Sequence, residues 1–208
     1  MNGIISKTRR FIKKYMEKLD DISHDYAHIN YVIRFSLKIA KREGITDKKE
    51  LFYIKMGALL HDYEDSKYSN KCQAEMINEY LKKHKELTSY DRLEIVKIAS
   101  NISLSKESMD NDDDNNDDDR TEIKIDIVKD ADRINSLGSV GIMRYISYNI
   151  NNNPKPSFDE IISNMKKRTD KIRKLLKTKS GKKMAKKHLK LIDTFISNYE
   201  YFGKKRRR

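Results

Sequence analysis

Apolar residues recur at steps of three and four along most of the chain. Phe11, Ile12, Tyr15, Met16 and Leu19 trace one face of a helix predicted over 7–19. The polar run from Asp20 to Ser23 breaks it, and Ser23 or Asp25 can cap a second helix that carries Ile29, Val32, Ile33, Leu37 and Ala40 on one side. Gly44 ends that helix, and Asp47 can cap a third over 48–60. Further helices are predicted at about 71–83, 89–102, 122–149, 158–176 and 182–201. Both prolines fall between Asn151 and Ser157 and mark a turn, and Gly181 separates the last two helices. The pattern predicts an all-α helical bundle.

Composition narrows the class. The chain has 208 residues, enough for one domain with a sizeable core. Seven Gly and two Pro are too few for an all-β sandwich or a Gly-rich Rossmann fold. One Cys excludes a disulfide framework and any Cys-based zinc site. No apolar stretch reaches the ~18–20 residues of a membrane span, and the N-terminal region lacks a secretory apolar core. The expectation is a soluble cytoplasmic protein, with the nucleus allowed by the basic tail.

The net charge is +13, unevenly spread. Seven Asp lie between Asp110 and Asp119 with no Lys or Arg among them. Like charges at that density repel, so 107–120 reads as a disordered, acidic, low-complexity insert. The domain is expected over 1–203, with 204–208 as a basic tail. The basic remainder suits either a polyanion or a small anionic substrate.

The sharpest chemistry is His61-Asp62 at the end of an apolar helix. Leu51, Ile54, Ala58 and His61 share a face, so the imidazole points the way the core does. A lone His there is more often a satisfied core residue than a ligand. An adjacent Asp changes that, because two ionisable groups at a buried helix end need compensation that a divalent metal supplies. Upstream, His28 begins the core side of the second helix and can face His61 if the second and third helices pack antiparallel. Downstream, Ile125, Val128 and Asp132 fall on one helical face, which carries Asp132 toward the core, with Asp130 about 200° away. Arg133 can pair with Asp130 or Glu122. Two His and two carboxylates without sulfur suit Mn, Mg, Fe, Ni, Co or Zn.

The order His, His-Asp, Asp resembles the metal motif of the HD-domain phosphohydrolase superfamily, above all its small, single-domain, all-helical branch. That branch reads roughly S-H-D-x-x-H, then L-L-H-D-x-x-D-x-K, then D-A-D-R-L-x-x-x-G-x-x-G-I-x-R. The counterparts here are Ser23 to His28, Leu59 to Lys67, and Asp130 to Ile134 followed by Gly138, Gly141, Ile142 and Arg144. The resemblance covers nearly the whole chain apart from the insert and the tail. It implies His28, His61, Asp62 and Asp132 as metal ligands. It implies Asp65, with Glu64 beside it, as the acid that orients an attacking water, and Lys67 as a catalytic and substrate-facing cation. Arg133 and Arg144 match basic positions that contact phosphate or form structural ion pairs. Asn101 and Ser103 stand where the branch often has a polar pocket residue. Gly138 and Gly141 permit close packing. The branch usually has Arg where Tyr31 stands, and Arg34, one turn on, is the substitute candidate for substrate binding.

The resemblance implies a metal-dependent phosphohydrolase of nucleotides or related small phosphorylated compounds. Nucleoside triphosphate pyrophosphatase with metal-activated water is the favoured form. A nucleoside monophosphate or an alarmone is the substrate alternative. From Met165 to the end there are 18 Lys or Arg against three Asp or Glu, so the other reading is a basic helical nucleic-acid-binding protein. Nonspecific nucleic-acid binding and a homodimer are both compatible with the enzyme.

Overall fold

The computed structural model describes residues 1–19, 26–65, 70–103, 119–152, 155 and 157–206. Among them are nine helices and no strand: α1 (Asn2–Met16), α2 (Tyr26–Arg42), α3 (Lys48–Leu60), α4 (Gln73–Lys82), α5 (Ser89–Ser100), α6 (Asp119–Asn135), α7 (Gly138–Asn152), α8 (Phe158–Leu175) and α9 (Lys179–Arg206). The all-helical fold expected from the periodicity is the fold that forms. Asp47 caps α3 as expected, its Oδ1 accepting from the amides of Lys49 and Glu50. Ser23, Asp25, Lys67 and most of the acidic insert lie outside the described residues. Asp119 and Arg120, assigned to that insert from sequence, are the first turn of α6. At the other end α9 runs on to Arg206, into the segment read as a tail.

Two boundaries differ from expectation for a physical reason. The single helix predicted over 122–149 is two helices, because Gly138 takes φ +71°, a left-handed conformation that side chains with a Cβ rarely adopt. A Cβ at Gly138 would also meet His188 Nδ1 at 2.7 Å, and one at Gly141 would collide with the Ser136 backbone. The break was hidden because Ile134, Leu137 and Gly141 keep steps of three and four through it and are all buried. Gly181 does not separate the last two helices. The chain turns at Leu176–Thr178, and Gly181 sits in the first turn of α9, where the missing Cβ makes room for the Asp130 carboxylate.

Helix α3 is the centre of the main core. Phe52, Tyr53, Ile54, Met56, Gly57, Ala58, Leu59 and Leu60 are all buried, and only Lys48 and Lys49 in the first turn are exposed. It packs against α1, α2, α5 and α6. A smaller core of Ile142, Ile162, Met165, Ile192 and Ile196 joins α7, α8 and α9. The site lies where the ends of α2, α3 and α6 meet.

Asp91 fastens α5 to α3. Its Oδ1 accepts from Tyr53 OH at 2.5 Å and pairs with Lys49 Nζ at 3.1 Å, while Thr88 closes a capping box on it. Burial works against charge on Asp91, yet the hydrogen bonds from Thr88 and Tyr53 outweigh it and hold the carboxyl well below its ordinary range. The unfolded chain therefore takes up this proton first as pH falls. The stability Asp91 contributes is complete above about pH 5 and is lost on further acidification. Urea unfolding of the native chain should weaken from about pH 5 downward, with part of that slope gone in Asp91→Asn. An identical slope in the variant would remove Asp91 as its source.

Candidate metal centre

The His-Asp turn is clamped from two sides. From α1, Phe11 and Tyr15 pack edge-on to Tyr63, with centroids at 5.1 and 4.9 Å, and Tyr15 OH accepts the Glu64 amide at 3.2 Å. From α4, the buried Gln73 donates Nε2 to the carbonyls of His61 at 2.6 Å and Tyr63 at 3.3 Å. Glu64 sits at φ +52°, so the chain reverses there under tertiary constraint. Gln73→Met removes the α4 clamp while keeping the volume. Loss of such an outer partner typically costs about 10–100-fold in metal affinity, so a Mn²⁺ titration should show at least about a tenfold weaker site. Unchanged affinity would mean that α1 alone sets the turn.

His61 caps α3, and its Nδ1 donates to the Ala58 carbonyl at 3.0 Å. That bond fixes the tautomer and turns the Nε2 lone pair toward the site. His28, buried at the start of α2, brings its Nε2 to 3.2 Å from His61 Nε2. Asp62 Oδ2 lies 3.3 Å from His28 Nε2 and 3.4 Å from His61 Nε2. One donor atom from each of His28, His61 and Asp62 lies within 4.8 Å of the others, and all three residues are buried. Asp132 Oδ1 completes the group from α6, at 3.3 Å from His28 Nε2 and 3.9 Å from His61 Nε2. Burial holds the His28 imidazole below its ordinary value, with Asp62 pulling the other way. Converging nitrogen and carboxylate donors of this kind, packed in the interior, fit a divalent cation.

Asp132 reaches the group for a different reason from the one its spacing gave. Its side chain is 29% exposed, whereas that of Asp130 is 0%. The single apolar face read through Ile125 and Val128 fails because α6 is surrounded by α2, α3, α5, α7 and α9. Asp130 points into that packing and accepts from the Lys177 amide, the Thr178 amide and Thr178 Oγ1 at 2.8–2.9 Å.

The expected substrate residues divide. Arg144, on α7, places Nη1 2.8 Å from His28 Nδ1. Arg133, read as either a phosphate contact or a structural ion pair, is buried, paired with Asp130 at 3.7 Å and donating to the Leu175 carbonyl. Arg34 is exposed and covers the Tyr31 ring at 5.9 Å. Asp65 is buried just beyond the turn, and Glu64 is half-buried. Lys67 lies outside the described residues. Asn101 caps the end of α5 and bonds back to the Lys97 carbonyl, and Ser103 is half-buried.

Three residues at the site escaped the sequence reading. Gln73 is one. Asn135 is another, with its amide 2.6 Å from His28 Nδ1. That amide can present nitrogen or, turned over, oxygen to the ring. The third is Arg168 on α8, whose guanidinium lies 5.6 Å over the Tyr145 ring. No motif marks any of the three, and Arg168 is one cation in a Lys-rich run.

The chain matches no family model and no curated protein. Its fold is similar to solved structures over nearly its whole length. One is an HD-superfamily hydrolase from Bacillus thuringiensis, 24% identical with a TM-score of 0.71 over 96% of each chain. Another is the Lin1889 protein from Listeria innocua, 25% identical with a TM-score of 0.71, covering 96% of this chain and 94% of that one. A third is Bacillus subtilis YpgQ in complex with ADP, 18% identical with a TM-score of 0.72, covering 95% and 96%. Among the described residues no helix is long and apolar enough to cross a membrane. The helix order, the buried His-Asp turn and these likenesses together give the chain the small, all-helical HD-domain fold.

Proposed function

We propose that this chain is a divalent-metal-dependent phosphohydrolase acting on a nucleotide, most specifically a nucleoside triphosphate pyrophosphatase. The observation that carries the reading is the buried group of His28, His61 and Asp62, with Asp132 beside it, inside the HD-domain fold. The ADP held by the neighbour YpgQ supports a nucleotide as the substrate class.

These four residues would hold the ion, which when bound supplies Lewis acidity toward phosphate oxygens and makes a coordinated water more acidic. The chain's own residues supply the rest. Asp65 or Glu64 orients the attacking water and takes its proton on a carboxylate oxygen. The water oxygen bonds to phosphorus as the bridging P–O bond breaks. Arg144 meets the charge on the phosphate oxygens, with Lys67 as a second cation.

The test is phosphate and pyrophosphate release from nucleoside mono-, di- and triphosphates with Mn²⁺, Mg²⁺, Ni²⁺ or Co²⁺. Pyrophosphate from triphosphates is the expected result. Orthophosphate from monophosphates alone would redirect the reading to a monophosphatase, and no release from any substrate would overturn it. The exposed lysines 182, 183, 186, 187 and 190 on α9 favour a second reading, nucleic-acid binding. That binding would fall with salt and survive loss of Asp62.

A further inference from the structure

The cations of α8 fall into two sets. Lys166 and Arg173 face α9 and are neutralised there, by Glu200 at 2.9 Å and Asp193 at 2.9 Å. Arg168 faces the other way, toward the metal centre. Its Nη1 lies 3.4 Å from the Ser136 carbonyl, and the Ser136 amide itself donates to the Asp132 carbonyl at 3.1 Å. Its guanidinium covers Tyr145, next in sequence to Arg144. Arg168 thus ties the end of α6 to α7 at the point where Asp132 and Arg144 flank His28. Burial pulls the guanidinium below its ordinary value, Asp132 opposes that and Arg144 adds to it. Two guanidinium groups in each other's field beside one carboxylate favour an anion between them. Lys171, one turn on, is rotated about 60° from Arg168 toward solvent. It is exposed, as is Lys167 on the same edge.

We propose that α8 forms a phosphate-chain subsite beside the metal centre, with Arg168 gripping the phosphate next to the scissile one and Lys171 the phosphate beyond it. The substrate then carries at least two linked phosphates, and a monophosphate leaves this edge of the site unused. The inference rests on the reading of the centre as a phosphohydrolase site, and it adds to that reading what the site selects. Arg168 acts through planar, bidentate hydrogen bonds and Lys171 as a point charge.

Calorimetric titration with orthophosphate and with tripolyphosphate, at a constant excess of free Mn²⁺, tests it. Arg168→Gln should weaken tripolyphosphate by about tenfold or more, and Arg168→Lys should recover part of that. Lys171→Glu, at an exposed position that cannot disturb folding, should weaken tripolyphosphate more than orthophosphate. Lys190→Glu makes the same charge change on α9, away from the site, and should leave both affinities within about twofold. Unchanged tripolyphosphate affinity in Arg168→Gln and Lys171→Glu would overturn the proposal. So would an equal loss in Lys190→Glu, which would make the effect one of net charge. Turnover separates this from the hydrolase reading. A native chain that hydrolyses nucleotides while Arg168→Gln and Lys171→Glu keep its KM refutes the subsite alone. A native chain that binds tripolyphosphate through Arg168 and Lys171 yet hydrolyses nothing supports the subsite and refutes the hydrolase.

Discussion

Asp62→Ala should abolish metal-dependent product release and the metal-dependent rise in Tm together. Asp62 is the carboxylate between the two imidazoles, 3.3 Å from His28 Nε2 and 3.4 Å from His61 Nε2. Without it the donors are two imidazoles and the half-exposed Asp132, a much poorer match for a dication. The loss should exceed the roughly 10–100-fold that follows from removing an outer partner such as Gln73. Stability supplies a readout independent of turnover. A metal at 100 times its Kd stabilises the native chain by about 2.7 kcal/mol, which for a chain of this size raises Tm by about 5–10 °C. Asp62→Ala should show almost none of that rise with Mn²⁺. The measured quantity is the shift on adding metal, so a change in the starting Tm does not confuse it. A variant that keeps both the shift and the release would remove the His-Asp group as the metal centre. A native chain that shows the shift but no release would keep the centre and lose the hydrolase.

The parts of this site that were legible in the sequence are those with local signatures. His61-Asp62 closes an apolar run, and the run makes α3 a buried helix whatever the rest of the chain does. Asp47 marks the start of α3 because its side chain caps the helix locally. His28 could be placed because it opens the apolar stripe of α2. What failed depended on partners far along the chain. The kink between α6 and α7 is set by Gly138 against His188, 50 residues apart and with no local sign beyond a glycine. For Arg133 the local partner Asp130 was legible, but the Leu175 carbonyl that it also holds lies 42 residues away. Gln73 and Arg168 are ordinary surface residue types until the fold brings their helices to the His-Asp turn and to α6. Periodicity reports one face of one helix, whereas these contacts come from which helix lies opposite.

The two carboxylates of Asp130-Ala131-Asp132 should separate stability from function. Asp130→Ala is expected to lower stability by about 3–5 kcal/mol, the usual result of removing one partner from a buried, hydrogen-bonded ion pair. Asp130 is fully buried and accepts from the Lys177 and Thr178 amides and from Thr178 Oγ1, with Arg133 at 3.7 Å. Burial pushes its carboxyl above the ordinary range, and those donors and the guanidinium draw it back. The truncation removes the acceptor of the buried Thr178 amide and hydroxyl and of the part-buried Lys177 amide, and takes the carboxylate from beside Arg133; each such loss is worth about 1–3 kcal/mol. It also frees the turn that aims α9 back along the bundle, because Gly181 packs directly on the same carboxylate. In thermal unfolding the drop should be about 6–20 °C for a chain of this length. Asp132→Ala removes a half-exposed carboxylate and should lower stability by no more than about 1 kcal/mol, yet it should lose most of the Mn²⁺-induced shift. Asn at position 130 keeps the volume but sets an NH₂ against N–H donors, so it should recover little. If Asp132→Ala proved the more destabilising in the absence of metal, and Asp130→Ala the one that lost the shift, the metal centre would have to be rebuilt around Asp130.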